Sequence, residues 1–236
     1  MSPHVDELIV AEDGPQLAAH AAAYIAEQIK RAPGIFRLAL SGGSTPRALY
    51  TLLGMAKDVA WERVELFWGD ERFVPPESAD SNFRLVRETL LAGGAKPKAV
   101  YPMPTDGTPA DAALRYQALL QRAYGSAVLT PEHALFDLNL LGLGEDGHTA
   151  SLLPGEPVLQ MRAAWVAAVP HGREQPRLTL TFPALESSKV TLFLVTGAGK
   201  AEALARARAH DTSIPAGALR PQGSTIWFAD RAAAGA

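Results

Sequence analysis

The stretch LALSGGSTP, residues 38–46, contains the features that decide the fold. Its apolar beginning belongs to a run, residues 35–40, with the length and composition of a buried strand. Two glycines then suit a tight turn, and Thr45-Pro46 predicts a helix with a threonine N-cap and a proline at its first position. A strand that passes through a glycine turn into a helix is the unit of parallel α/β sheets.

The same alternation of strands and helices continues on both sides of this stretch. Helices are predicted over residues 15–31, 45–53, 80–91, 109–124 and 200–210. Further strands are predicted at residues 64–68, 100–101, 135–141, 165–169, 190–195 and 225–228. Because such alternation implies parallel crossovers, we predict an α/β fold with an open, mostly parallel sheet and helices on both faces. We expect a single domain over residues 1–236, since no repeat or long linker interrupts the pattern.

Composition excludes several classes of protein. The chain of 236 residues is 47% hydrophobic with a formal net charge of −3, so we expect neither a nucleic-acid nor a membrane partner. It has no cysteine, which rules out disulfides and thiolate chemistry. No histidine pair has zinc-ligand spacing and no serine lies in a G-x-S-x-G elbow, so we expect no metal site and no α/β-hydrolase nucleophile. The beginning of the chain lacks a signal-peptide pattern, and the cytoplasm is the expected location.

The glycine turn after the first of these strands is a candidate phosphate site, formed by Gly42, Gly43, Ser44 and Thr45. Free N–H groups and the positive end of the helix dipole meet there, and glycines let an oxyanion approach the backbone. The alternative is a tight turn that binds nothing. Lys200, in VTLFLVTGAGKA, follows another strand and glycine turn, and it is either a phosphate ligand or a solvated lysine. Arg177, at the head of RLTLTF, is a weaker candidate of the same kind.

The stretch LLGLGEDGHTASLLPG is the most informative about chemistry. Its glycines fit G-x-G-x-x-G, but Glu145 and Asp146 inside the loop would repel a pyrophosphate, so we reject a dinucleotide site. What remains is a glycine-rich loop that carries Asp146 and His148 together. A carboxylate beside an imidazole is what a general base and its orienting group require. A surface histidine without a catalytic role is the alternative.

Charged residues also follow the strand at residues 64–68. FWGDERFVP places Asp70, Glu71 and Arg72 where that strand ends, and we expect them to be exposed there. Either they belong to a site or they form a solvated salt bridge. Asn82, shortly afterwards, is a further binding candidate or simply the cap of the next helix.

In chain order, the stretches LALSGGSTP, FWGDERFVP, LLGLGEDGHTASLLPG, RLTLTF and VTGAGKA resemble the 6-phosphogluconolactonase family of the pentose phosphate pathway over most of the chain. The resemblance implies the fold shared with glucosamine-6-phosphate deaminases and ribose-5-phosphate isomerases, and an ester hydrolysis without a cofactor. It implies that His148 activates water as general base and that Asp146 orients it. It further implies that the substrate is a phosphorylated sugar lactone, held by Gly42, Gly43, Ser44, Thr45, Arg72, Arg177 and Lys200, with Asn82 added as a candidate. We expect either Arg72, as a catalytic residue, or backbone N–H groups of the loops to stabilise the charge that develops on the substrate.

Two other functions stay open at this point. A deaminase of the same superfamily resembles this pattern, but deaminases carry Asp-Glu-Tyr where this chain has Asp70-Glu71-Arg72, and a glutamate where it has Leu153. A sugar-phosphate sensor without catalysis, of the kind found in transcription regulators, is less favoured. Such a regulator needs a DNA-binding module, but the net charge is slightly negative and only one short strand and one helix precede the first glycine turn. The oligomeric state is not determined by the sequence, which is compatible with a monomer.

Overall fold

A seven-stranded parallel sheet forms the centre of the structure, a computed structural model that describes residues 5–236. The expectation that the chain begins without a signal-peptide pattern partly concerns residues 1–4, which lie outside the described residues. The strand order is β1-β10-β9-β6-β2-β3-β5. These strands are β1 (Asp6–Ala11), β2 (Phe36–Leu40), β3 (Val64–Trp68), β5 (Ala99–Val100), β6 (Phe136–Gly142), β9 (Ser188–Val195) and β10 (Ser224–Asp230).

Helices connect the strands and cover the sheet. They are α1 (Gly14–Arg31), α2 (Ser44–Met55), α3 (Asn82–Val86), α4 (Pro109–Tyr124), α5 (Phe182–Glu186), α6 (Ala201–Arg208), α7 (Pro215–Ala218) and α8 (Arg231–Ala234). The central strands are apolar along their length because both faces of a covered parallel sheet are buried. Leu38, Leu66 and Leu138 on three neighbouring strands are fully buried, and each such side chain stabilises the fold by roughly 1.5–3 kcal/mol. The predicted class, a mostly parallel α/β sheet flanked by helices, is confirmed.

The direction in which the sheet grows reverses between β2 and β6. From β2 the chain adds β3 and then β5 on one side, whereas β6 pairs with β2 on its other side and is followed outward by β9 and β10. The loops that leave the carboxyl ends of β2 and β6 therefore diverge. Such a switch point opens the crevice in which α/β sheets bind their ligands.

A second, smaller sheet lies beside the first and was not predicted. It consists of β4 (Asp70–Arg72), β7 (Val166–Val169) and β8 (Arg177–Leu180), paired antiparallel in the order β4-β8-β7. The strand predicted at residues 165–169 thus exists but belongs to this sheet. The expectation that Asp70 and Glu71 are exposed is wrong, since they are only 6% and 1% exposed. Pairing with β8 buries both side chains, and only tertiary contacts decide that.

Two helix starts also differ from the prediction. Helix α2 begins at Ser44 with Gly43 as its N-cap residue, so Thr45 is not the cap and Pro46 is not the first helical residue. The helix predicted over residues 80–91 begins at Asn82, is capped by the side chain of Ser81, and changes to a π-helical turn at residues 87–91. Within residues 5–236, no helix combines the length and the apolar character needed to cross a membrane.

Candidate active site

Loops from β2, β3, β6 and β9 meet at the carboxyl edge of the sheet and enclose a pocket of about 210 Å³. Nine of the ten predicted site residues line it. They are Gly42, Gly43, Ser44, Thr45, Arg72, Asn82, His148, Arg177 and Lys200. The tenth, Asp146, does not line the pocket but is hydrogen-bonded to His148. Residues from distant parts of the chain are thus brought together, because the carboxyl ends of parallel strands share one edge.

The glycine turn at the start of α2 presents backbone N–H groups to the pocket. Gly43 has φ of +109°, a conformation that residues with a side chain rarely adopt. The first N–H groups of a helix have no intrahelical acceptor, and no described side chain caps this helix. Ser41 holds the turn in place, since its N–H donates to Tyr50 Oη (3.1 Å) and its carbonyl accepts from the same hydroxyl (2.6 Å). The geometry suits an anion.

The turn also depends on the loop that carries Asn82. A Cβ at Gly42 would lie 1.8 Å from Asn82 Oδ1, so any side chain at residue 42 would displace that amide. Asn82 is 2% exposed and donates through Nδ2 to the carbonyl of Asp70 (2.9 Å). Since Ser81 caps α3, the reading of Asn82 as a helix cap is wrong. The amide instead lies in the pocket wall and connects two loops.

Asp70 is a buried carboxylate in the same wall, and no sequence pattern distinguishes it from its charged neighbours. Its Oδ2 accepts a hydrogen bond from Ser151 Oγ (2.7 Å) and lies 3.8 Å from Arg177 Nη1. Burial lowers the pKa of Arg177, which the charge of Asp70 opposes. Arg177 Nε has no hydrogen-bond partner within residues 5–236. A guanidinium with unused donors beside the pocket can bind an anionic substrate.

Glu71 points away from solvent and organises the loop that follows β4. Its carboxylate accepts from the backbone N–H groups of Arg72, Asn82 and Phe83 at 2.7–2.8 Å. Burial raises the pKa of Glu71 to about 7, although these three donors favour the ionised form; nearby Asp70 adds to the rise. Arg72, the next residue, donates from Nη1 to the carbonyl of Asp80 (2.7 Å) and remains in the pocket wall.

Lys200 reaches the pocket from the turn after β9. Its Nζ donates to the carbonyl of Leu143, in the loop after β6. Burial lowers the pKa of Lys200, and the carboxylates of Glu145 and Asp146 oppose that change. Hydrogen bonds hold the turn after β9 against α2 and the end of β10. Thr196 Oγ1 lies 2.8 Å from Thr45 Oγ1, and the N–H of Gly197 donates to Asp230. The lysine is therefore held near the glycine turn of α2.

His148 and Asp146 form a hydrogen-bonded pair at the pocket. His148 Nδ1 lies 2.5 Å from Asp146 Oδ1, and the same oxygen accepts from the N–H of His148 (3.1 Å). Burial would raise the pKa of Asp146, but hydrogen bonds from His148 and Arg173 outweigh it and lower the value to about 2. The carboxylate is thus ionised, which favours the tautomer with the proton on Nδ1. Nε2 is then the basic nitrogen.

One further charged residue of this cluster was missed by sequence reasoning. Arg173, in the loop between β7 and β8, donates from Nη2 to Asp146 Oδ2 (2.8 Å). No local spacing connects residues 146 and 173, so only the packed structure reveals the contact. Within the described residues, no group of three histidine, aspartate or glutamate side chains is arranged to hold a metal ion.

Fold and pocket together define a class: an α/β protein with a helix N-terminus for an anion beside a carboxylate–histidine pair. The model of the glucosamine-6-phosphate isomerases/6-phosphogluconolactonase family matches residues 12–227. The chain belongs to this family.

Relatives and solved structures agree with this assignment. The 6-phosphogluconolactonase of Nostoc sp. is 39% identical over 205 residues, which cover 85% of this chain and 84% of that protein. The 6-phosphogluconolactonase of Synechocystis sp. is 38% identical over 241 residues, which cover 99% of this chain and 98% of that protein. The crystal structure of 6-phosphogluconolactonase from Thermotoga maritima superposes with a TM-score of 0.79 at 30% identity, covering 97% of this chain and 100% of that one.

Proposed function

We propose that this protein hydrolyses 6-phospho-D-glucono-1,5-lactone to 6-phospho-D-gluconate. The observation that carries the proposal is the Asp146–His148 pair, which lies in the same pocket as the glycine turn of α2 in a chain of this family. A base beside an anion site is what hydrolysis of a phosphorylated lactone requires.

The substrate's phosphate binds at the turn formed by Gly42, Gly43, Ser44 and Thr45. Backbone N–H groups and the positive end of α2 face it there. Lys200 and Arg177 supply positive charge from the opposite loops, and Asn82 keeps the turn in its conformation. This arrangement fixes the phosphate end, so that the lactone ring extends toward His148.

His148 performs the proton transfers. Its Nε2 takes a proton from a water molecule as the water oxygen attacks C1 of the lactone. Arg72, in the pocket wall, stabilises the negative charge that develops on the carbonyl oxygen. When the tetrahedral intermediate collapses, the bond between C1 and the ring oxygen breaks and His148 returns the proton to that oxygen. Asp146 stabilises the imidazolium between the two steps.

The deaminase reaction is less well supported by this pocket. A deaminase moves protons between carbon atoms and needs further acid and base groups. Position 153, where deaminases carry a glutamate, is a leucine that is only 1% exposed and packs into the core. Position 72 is an arginine rather than a tyrosine.

Hydrolysis of freshly generated 6-phosphogluconolactone by the purified protein tests the proposal against the spontaneous rate. His148→Ala should lower kcat by roughly 10²–10⁴. His20→Ala is the matched control, because His20 is exposed on α1 and distant in sequence from every pocket loop. If the wild type does not exceed the spontaneous rate, lactonase activity is excluded and release of ammonia from glucosamine-6-phosphate becomes the next assay.

The partner in this proposal is the small-molecule lactone alone. We place the reaction in the cytoplasm, following the expectation from the sequence. Analytical ultracentrifugation would measure the number of subunits.

A further inference from the structure

The loop between β7 and β8, residues 170–176, places an arginine against the proposed catalytic pair. Arg173 Nη2 donates to Asp146 Oδ2 (2.8 Å) and lies 3.4 Å from His148 Nδ1, while Nη1 donates to the carbonyl of Gly172 (2.9 Å). Asp146 therefore uses one oxygen for the imidazole and the other for the guanidinium. A carboxylate bound at both oxygens cannot rotate about its terminal bond without losing a charge-assisted hydrogen bond.

The loop itself is held at several points, so the position of Arg173 is determined by more than one contact. The N–H of Phe73 donates to the carbonyl of Pro176 (2.8 Å), and Gln175 Nε2 donates to Asp80 Oδ2 (2.7 Å). Gly172 adopts φ of +82°, and a Cβ there would come within 3.0 Å of Leu153 and of Glu156. These contacts join the loop to the segment after β4 and to the loop after β6.

We propose that Arg173 is a positioning residue, which holds Asp146 so that the carboxylate fixes the orientation and tautomer of His148; this rests on the lactonase function proposed above. Arg72 and Arg177 line the pocket, whereas the described chain shows Arg173 joined to it through Asp146 and His148.

Three substitutions test the positioning role. Arg173→Ala removes the donor to Asp146, so kcat should fall about 5–30-fold with KM changed less than about threefold. Arg173→Gln keeps an amide donor, so kcat should partly recover with KM near that of the wild type. Arg173→Lys keeps a charged donor and should recover more of kcat than Arg173→Gln.

The matched control is Arg115→Ala, which breaks an exposed arginine–aspartate pair with Asp106; neither residue lines the pocket. It should leave kcat and KM unchanged. A rise in KM alone for Arg173→Ala would identify a substrate contact and overturn the positioning role, and so would kinetics identical to those of the wild type.

A second measurement does not depend on lactonase activity. Nitrogen-15 spectra of labelled histidine should show His148 with its proton on Nδ1, with the signal assigned by its loss in His148→Ala. In Arg173→Ala, this tautomer preference should weaken. If the wild type hydrolyses no lactone but the tautomer responds to Arg173→Ala, the proposed reaction fails and the positioning of His148 stands. If the tautomer is unaffected, the positioning role fails whatever the activity.

Discussion

Gly144 leaves just enough space for His148. A Cβ built on Gly144 would lie 2.0 Å from His148 Nδ1 and 2.6 Å from Asp146 Oδ1, so a side chain at residue 144 and the pair cannot coexist. The N–H of Gly144 donates to the carbonyl of His148 (2.9 Å), which closes the loop around the pair. The glycine pattern that resembles a dinucleotide site thus accommodates an imidazole and a carboxylate.

Gly144→Ala should therefore displace the imidazole and lower kcat by roughly 10²-fold, the cost of a displacement of about 1 Å in an active site. The substitution should change the melting temperature only slightly, because the loop lies at the edge of the sheet. Gly34→Ala is the control, since nothing lies within 4 Å of a Cβ at residue 34. Wild-type turnover in Gly144→Ala would mean that His148 can move without loss.

Asp146→Asn should lower kcat by roughly 10²–10⁴ with little change in KM. The amide can donate toward Nδ1, which would place the ring proton on Nε2 and remove the base from the pocket. Steady-state kinetics on the lactone measure this effect. Asp106→Asn, at an exposed aspartate paired with Arg115, is the control. Turnover retained in Asp146→Asn would exclude an orienting role for the carboxylate.

Lys200→Ala should raise KM about 10–100-fold, as expected for the loss of one charged hydrogen bond to phosphate. The change in kcat should be smaller, because phosphate is bound equally in the ground state and the transition state. Lys57→Ala, at an exposed lysine after α2, serves as the control. A fall in kcat alone would assign Lys200 a different task, namely holding the loop after β6 through the carbonyl of Leu143.

Glu71 should make the stability of the fold depend on pH. Because burial raises its pKa in the folded protein to about 7, the folded state binds more protons than the unfolded state between about pH 4.5 and 7. Its contribution is fully present below the unfolded pKa and is lost as the pH rises through about 7. The loss is roughly 3 kcal/mol at most.

The free energy of unfolding, measured with urea from pH 4.5 to 8, tests this for the wild type and Glu71→Gln. The wild type should lose more stability than the variant as the pH rises, since glutamine does not ionise. Parallel profiles for the two proteins would contradict the raised pKa. The difference between the profiles matters more than either curve, because other carboxylates titrate in both proteins.

Most of the fold and of the candidate site could be predicted from patterns among residues that are neighbours in the sequence. The turn at Gly42 and Gly43 and the pair Asp146 and His148 lie within short stretches, where strand length, glycine and helix-start signals are physical properties of neighbouring residues. The predicted parallel sheet then placed the ends of β2, β6 and β9 at one edge. Nine of the ten predicted site residues line one pocket, and the tenth, Asp146, is hydrogen-bonded to His148. Their roles remain proposals.

The sequence alone determined the α/β class, the family resemblance and the loops that form the pocket, because these depend on order and spacing along the chain. Only the tertiary structure decided that Asp70 and Glu71 are buried, that β4, β7 and β8 form an antiparallel sheet, and that Arg173 binds Asp146. Asp70 and Ser151 are 81 positions apart, and Asp146 and Arg173 are 27 apart. Contacts at such separations arise from packing of whole elements, which leaves no periodic signal in the residues themselves.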